Sequence, residues 1–85
     1  MFRMTVEDVF VFERRGLAVT GTIESGTVRV GDELHLDGIR TTRVKEIEMF
    51  RKLLDWAEQG DSVGLFLDGV EKEDVPHGTV LSGAK

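Results

Sequence analysis

Glycine-containing turns interrupt this chain so often that none of its elements can be long. Ten glycines and one proline lie among 85 residues, and turn pairs such as Ser25-Gly26 and Asp37-Gly38 recur about every ten residues. Between the turns, apolar residues alternate with polar ones, as Leu17, Val19 and Ile23 do. Short strands joined by tight turns predict an all-β domain that folds as a sandwich or a barrel.

Size and charge limit what such a domain can be. Residues 1–85 make one small domain, with no repeat, linker or low-complexity segment. The absence of cysteine excludes disulfides and thiolate metal sites and suits the reducing cytoplasm, where we expect the protein to lie. No apolar run approaches the roughly 18 residues of a membrane span.

Sixteen acidic and eleven basic residues give a net charge of −5, which argues against a general nucleic-acid binder. A local basic patch stays open, because one stretch of thirteen residues holds five of the cations: Arg40, Arg43, Lys45, Arg51 and Lys52.

Residues that carry catalysis or bind cofactors do not form any familiar pattern here. The two histidines, His35 and His77, have no second ligand nearby in the sequence, and alternation with Leu34 and Leu36 predicts that His35 faces solvent. The chain contains no Gly-x-x-x-x-Gly-Lys-Ser/Thr loop for a nucleotide phosphate. We therefore predict no enzyme activity, no metal site, no cofactor and no nucleotide site within this chain.

The alternation also predicts which residues form the core. Gly21 falls on the same face as Val19 and Ile23, so it leaves a gap that indicates a bend or a close approach of another backbone. The predicted core residues are Val9, Val19, Ile23, Val30, Leu34, Val63, Leu65 and Leu67. By the same rule, Thr42, Val44 and Glu46 should share one face of a strand.

One segment gives conflicting indications of secondary structure. Between Met49 and Glu58, the apolar residues Met49, Leu53 and Trp56 recur at helical spacing, and leucine, lysine and glutamate favour helices. Composition alone would therefore predict a short helix that ends near Gly60. Tertiary context routinely overrides propensity in segments of this length, so composition does not decide between helix and strand.

The octet of residues 48–55, Glu-Met-Phe-Arg-Lys-Leu-Leu-Asp, is the most informative motif in this chain. Residue for residue, it resembles a segment of domain 2 of bacterial translation elongation factor Tu and related translation GTPases. The resemblance runs from Met4 to Leu81, and nothing in the chain resembles the family's GTPase domain. Further matching segments are residues 6–10, 15–21, 26–33, 60–69, 73–75 and 78–81.

This resemblance implies a fold: a small closed six-stranded Greek-key β-barrel. In that family the segment that corresponds to residues 49–58 is a strand, a bend and another strand, so we predict strands there and not a helix. Closure removes exposed sheet edges, and side chains fill so narrow a barrel. Any site must therefore lie on the outside or at a rim.

The resemblance also implies a binding site. In the family, a shallow pocket on this domain receives the 3′-terminal adenosine of aminoacyl-tRNA, and a glutamate and an arginine of the octet help form it. Those two residues correspond to Glu48 and Arg51. Gly26 and Val30 are expected opposite them, where a glycine would let the ring approach the backbone.

Two functions remain open. The first is a free-standing binding module that contacts tRNA, ribosome-associated RNA or another part of the translation machinery. The second is a protein-interaction domain that binds a GTPase-domain protein or another partner through Phe50, Leu53, Leu54 and Trp56. The acidic net charge favours the second function. Met1 suits a complete short gene, although a domain excised from a longer protein would look the same.

Overall fold

The computed structural model describes residues 1–83 and consists mainly of β-strands. The last two residues of the predicted 1–85 domain lie outside the described part. The strands are β1 (Arg3–Thr5), β2 (Asp8–Phe12), β3 (Gly16–Ser25), β4 (Thr27–Arg29), β5 (Glu33–Leu36), β6 (Arg40–Met49), β7 (Lys52–Leu54), β8 (Trp56–Glu58), β9 (Ser62–Asp68) and β10 (Val80–Gly83). A single 3-10 turn, Lys72–Asp74, lies between β9 and β10.

Six of the strands close into a ring. Around the barrel they follow the order β1, β10, β5, β6, β9 and β3, and a pairing of β3 with β1 completes the circle. All of these pairings are antiparallel. The chain passes from β3 to β5 and from β9 to β10 between strands that are not neighbours, as in a Greek key. The predicted small closed β-barrel is therefore confirmed.

Strand β3 is long because it has two successive partners on one side. Residues 16–20 pair with β2, whereas Ile23 and Ser25 pair with β1. Gly21 lies between these halves, and a Cβ added there would be 2.5 Å from the carbonyl oxygen of Thr5. No side chain fits at that distance, so the predicted close approach of another backbone is confirmed.

The interior of the barrel is apolar, and most of the predicted core residues are buried in it. The prediction was wrong for Val30, which is 44% exposed. Strand β4 ends at Arg29, so Val30 enters a turn and does not continue the alternation begun by Val28. Val9 is half-buried and packs against the core from β2. The confirmed core residues are Val19, Ile23, Leu34, Val63, Leu65 and Leu67.

A β-bulge changes which residues of β6 face the core. Thr42 and Val44 are buried as alternation predicts. The register with β9 then shifts between Val44 and Glu46, so that Ile47 is buried while Glu46 lies on the outer face. The prediction that Glu46 shares a face with Val44 was wrong, because one inserted residue reverses every later side chain.

A second apolar cluster lies on the outside of the barrel. Phe66 is 1% exposed, yet it faces away from the core, opposite Ala18 of β3. The ring of Phe12 covers Phe66 at a centroid distance of 5.7 Å. The guanidinium of Arg15 stacks over Phe66 at 4.1 Å from the ring centroid. Phe10, opposite Ala18 on β2, extends this outer cluster.

The segment of uncertain secondary structure forms strands. Lys52–Leu54 is β7, Asp55 is a bend and Trp56–Glu58 is β8, so the helix indicated by composition does not form. Strand β7 pairs with β6, and β8 pairs with β4. These pairings supply the backbone hydrogen bonds that a ten-residue helix would otherwise have to provide alone.

Polar contacts hold the place where the ring closes, between β1 and β3. Glu24 accepts hydrogen bonds from Thr5 Oγ1 at 2.6 Å and from Arg3 Nε at 2.9 Å. The hydroxyl of Thr5, and then Arg3, lower the pKa of the Glu24 carboxyl below its ordinary value of 4.5. A lowered pKa stabilises the fold above the unfolded-state pKa, and this stabilisation is lost as the pH falls through the folded-state value.

Replacing Thr5 with valine should raise the pKa of Glu24 toward its ordinary value, since the main hydrogen bond to the carboxylate is lost. A carboxyl-carbon NMR titration measures this pKa directly. Thr22→Val is the control, because Thr22 of the neighbouring strand β3 is a threonine whose hydroxyl contacts Ser62 and not Glu24. An unchanged pKa in Thr5→Val would show that the hydroxyl does not stabilise the carboxylate.

Candidate functional site

The β6–β7 hairpin brings together most of the predicted site residues. Glu48 lies opposite Leu53, and Met49 lies opposite Lys52. Phe50 and Arg51 therefore form a two-residue turn between the strands. Both side chains are exposed, and Phe50 is 87% accessible to solvent. The RNA-binding and partner-surface predictions thus share one protruding element.

The backbone of this turn is unusual for the residues it carries. Phe50 has a φ of 54° and Arg51 a φ of 64°, so both adopt the left-handed conformation. A two-residue hairpin turn with two positive φ angles is type I′, in which Asn-Gly is strongly preferred. Bulky residues in this conformation are outliers, and such strain is concentrated at functional sites.

Glu48 lies on the outer face of the barrel, between Leu53 of β7 and Gly64 of β9. Its carboxylate is 3.8 Å from Nη1 of Arg15, and its side chain keeps 32% of its surface exposed. Arg15 also donates a hydrogen bond to Glu46 at 3.1 Å. Glu48 is therefore held by a cation of the barrel itself and remains partly accessible to a ligand.

Gly26 and Val30 flank strand β4, which pairs with β8 and lies outside the β6–β7 hairpin. The carbonyl of Gly26 accepts a hydrogen bond from the backbone N–H of Gln59 at 3.0 Å, and the N–H of Val30 donates to Asp55 at 3.0 Å. Gly26 has a φ of 73°, and a Cβ there would be 2.6 Å from the backbone nitrogen of Phe2. The N-terminal backbone thus accounts for the glycine without any ligand.

Apolar side chains are exposed on and beside the hairpin. Besides Phe50, Leu53 is 62% exposed and Trp56 is 51% exposed, while Leu54 is half-buried against the core. We call Phe50, Arg51, Lys52, Leu53 and Trp56 the hairpin surface. Three of the four residues predicted to contact a protein partner belong to it.

The five cations between residues 40 and 52 do not form one patch. Strand β6 has ten residues and extends for about 30 Å, and its three cations contact different parts of the barrel. Arg51 and Lys52, in contrast, have no ion-pair partner among residues 1–83. Of the other three cations, Arg40 contacts Asp74, Arg43 donates to the carbonyl of Gly31, and Lys45 donates to the carbonyl of Arg15.

Grooves and histidines lie away from the hairpin surface. One groove of about 440 Å³ is lined by Met1, Phe2, Thr27, Asp32, Glu33, Leu34 and Gly83. His35 is half-buried, not solvent-facing as predicted, because it lies between Thr41 and Ser82 of the flanking strands.

Within residues 1–83, no group of three or more histidine, aspartate or glutamate side chains is placed to hold a metal ion. No helix in this part of the chain is both long enough and apolar enough to cross a bilayer.

Sequence reasoning did not identify Arg15 as part of the site. It joins the outer cluster to Glu46 and Glu48, although 31 residues separate it from Glu46 along the chain. Arg15 lies in the turn between β2 and β3, and this position gave no indication of the contact, which depends on the order of β3, β9 and β6 around the barrel.

A protein-family model matches this chain. The family is described as Elongation factor Tu domain 2, and the match covers residues 16–82, which is more than half of the sequence. The matched range includes β3 to β9 in full and therefore contains the hairpin surface, Glu48, Gly26 and Val30.

Proposed function

Because this chain belongs to the elongation factor Tu domain 2 family, we propose that it is a non-catalytic translation-factor module whose hairpin surface binds a single-stranded RNA 3′ end. The end of aminoacyl-tRNA is the ligand that we favour. Membership of the family supports a β-barrel module of the translation machinery, and the proposal adds the ligand and the contact surface.

The observation that carries this proposal is the strained turn. Two left-handed residues other than glycine together cost about 2–4 kcal/mol, yet the turn keeps Phe50 and Arg51 where Asn-Gly would fold more easily. A requirement for these two side chains in binding would explain why the strain is tolerated. An exposed aromatic ring beside unpaired cations suits a ligand with a base to stack and a phosphate to neutralise.

Glu48 adds a means of recognising a base. Its partly exposed carboxylate can accept a hydrogen bond from the exocyclic amine of an adenine, while Arg15 keeps the carboxylate oriented. Loss of Glu48 should therefore affect preference for the terminal base, whereas loss of Phe50 or Arg51 should weaken binding of any single-stranded end.

The test measures binding of labelled aminoacyl-tRNA, deacylated tRNA and a short RNA ending in CCA by fluorescence anisotropy, at about 50 and 200 mM salt. Phe50→Ala and Arg51→Ala should each weaken binding about tenfold. Lys72→Ala is the matched control: it removes one cation that has no ion-pair partner among residues 1–83, at the far end of β6 near the contact of Asp74 with Arg40. We expect its affinity to change less than about twofold.

Two outcomes would contradict the RNA proposal. One is an absence of binding at high micromolar protein, and the other is equal weakening by Arg51→Ala and Lys72→Ala, which would indicate unspecific attraction of phosphate to charge. Unchanged affinity in Glu48→Ala would show that the expected adenosine contact is wrong.

The exposed apolar residues favour a second candidate, a protein-interaction domain. Leu53 and Trp56 contribute nothing to phosphate binding, but exposed leucine and tryptophan side chains suit the centre of a protein interface. A GTPase-domain protein is the partner expected from the family. Binding of such a protein would depend weakly on salt and would be lost in Trp56→Ala, whereas RNA binding falls steeply as salt rises.

A further inference from the structure

Strand β2 is an open edge on an otherwise closed barrel. It pairs only with β3, and within residues 1–83 no other hydrogen bond is made to residues 8–12. Its apolar side chains are accessible: Phe10 is 48%, Val11 65% and Phe12 43% exposed. The 3-10 turn lies close to Val11 but leaves most of it uncovered. Natural proteins usually protect such an edge with charges, proline or a covering element.

We propose that this edge pairs with the same edge of a second copy, antiparallel and around a two-fold axis at Val11. The two five-residue strands would then continue one sheet from barrel to barrel. Such an interface is isologous, so it occupies the same β2 edge in both copies and leaves neither β2 edge free. Pairing would therefore stop at a dimer and would not propagate into a fibre.

Charge complementarity selects the register. With Val11 on the axis, Phe10 of one copy lies opposite Phe12 of the other, and Arg14, in the turn that follows β2, comes nearest to Asp8. Asp8 and Arg14 are exposed, and neither has an ion-pair partner among the described residues. By symmetry, the charge pair and the Phe10–Phe12 pair each occur twice in the dimer. The two phenylalanine pairs would extend the outer cluster into a ladder of four phenylalanines.

The neighbouring register is unfavourable. With Phe10 on the axis, Glu7, just before β2, would come nearest to Glu13, just after β2 in the other copy, and like charges brought together in this way are destabilising. The Val11 register avoids this clash. The charges at the two ends of β2 therefore suit a second copy of this chain better than an arbitrary extended peptide.

The small size of the edge predicts a weak dimer. A phenylalanine side chain contributes roughly 150–250 Å² when fully buried, and the three exposed apolar residues of β2 have only about half of their surface accessible in the monomer. The area falls below the roughly 1,200 Å² of a standard interface, so we expect a dissociation constant on the order of 100 μM.

Sedimentation equilibrium from about 10 μM to 1 mM tests the dimer. The mass should rise from 9.5 kDa toward twice that value. Val11→Lys places two like charges at the axis and should keep the protein monomeric throughout, with little effect on its folding because Val11 is exposed. A wild-type mass of 9.5 kDa at every concentration, or a dimer unaffected by Val11→Lys, would overturn the proposal.

Charge-swap variants test the register and distinguish a second copy from another partner. Asp8→Arg alone and Arg14→Asp alone place like charges opposite each other and should each weaken self-association about tenfold. Mixing these two variants restores attraction at both positions, so a heterodimer should form with wild-type affinity or better. Failure of the mixture to associate, or self-association of either single variant as strong as that of the wild type, would overturn the Val11 register.

Discussion

Replacing Gly21 with alanine is expected to lower the free energy of unfolding by about 3 kcal/mol. The added Cβ would lie 2.5 Å from the carbonyl oxygen of Thr5 and 3.2 Å from Cγ of Met4, which is fully buried. Neither atom can move aside without separating β1 from β3 at the closure of the ring. Urea denaturation monitored by Trp56 fluorescence measures the loss.

The matched control is Gly64→Ala, on the neighbouring strand β9. Its Cβ would meet no atom closer than 3.9 Å, so only the lower chain entropy of alanine in the unfolded state should act. We expect a gain of about 0.5 kcal/mol. If both alanine variants were equally stable, close approach at Gly21 would not be what restricts that position.

The second large effect concerns the strained turn, because Phe50→Asn together with Arg51→Gly should stabilise the barrel by about 2 kcal/mol. Asparagine and glycine accept the positive φ angles that phenylalanine and arginine adopt at a cost. The same change should abolish RNA binding, because both contact side chains are removed. Thermal unfolding and the anisotropy titration, on the same preparation, measure the two effects.

The double variant Phe50→Ala and Arg51→Ala separates the two consequences. It also removes the contact side chains but keeps two non-glycine residues in the left-handed conformation, so it should lose binding without gaining stability. If the Asn-Gly variant were no more stable than the Ala-Ala variant, the turn would not be strained. If it still bound RNA, Phe50 and Arg51 would not be the contact residues.

Local patterns predicted the fold because the turns are marked by residues with few alternatives. Gly26 and Gly31 adopt positive φ angles, and the runs between turns alternate as strands require. The bulge in β6 has no such mark, so the burial of Ile47 in place of Glu46 could not be read from the sequence. The strands within residues 49–58 could be predicted only from the family resemblance, since the composition of this segment favours a helix.

The outer face of the barrel was the least predictable part. Phe66 lies in a continuous apolar run, which does not reveal which residues face outward. Its cover comes from Phe12 and Arg15, which are distant in the sequence. The sequence located Glu48 on the hairpin, but its ion pair with Arg15 depends on the order of strands around the ring.

Closure of the ring also constrains when this domain can fold. The first strand, β1, pairs with the last, β10, with Arg3 opposite Ser82 and the N–H of Gly83 bonded to the carbonyl of Phe2 at 3.0 Å. Because synthesis proceeds from the N-terminus, the edge of β1 that pairs with β10 stays unpaired until β10 has left the ribosome. High contact order of this kind implies slow folding, on the order of milliseconds to seconds. Meanwhile the incomplete sheet exposes edges that nascent-chain chaperones can protect.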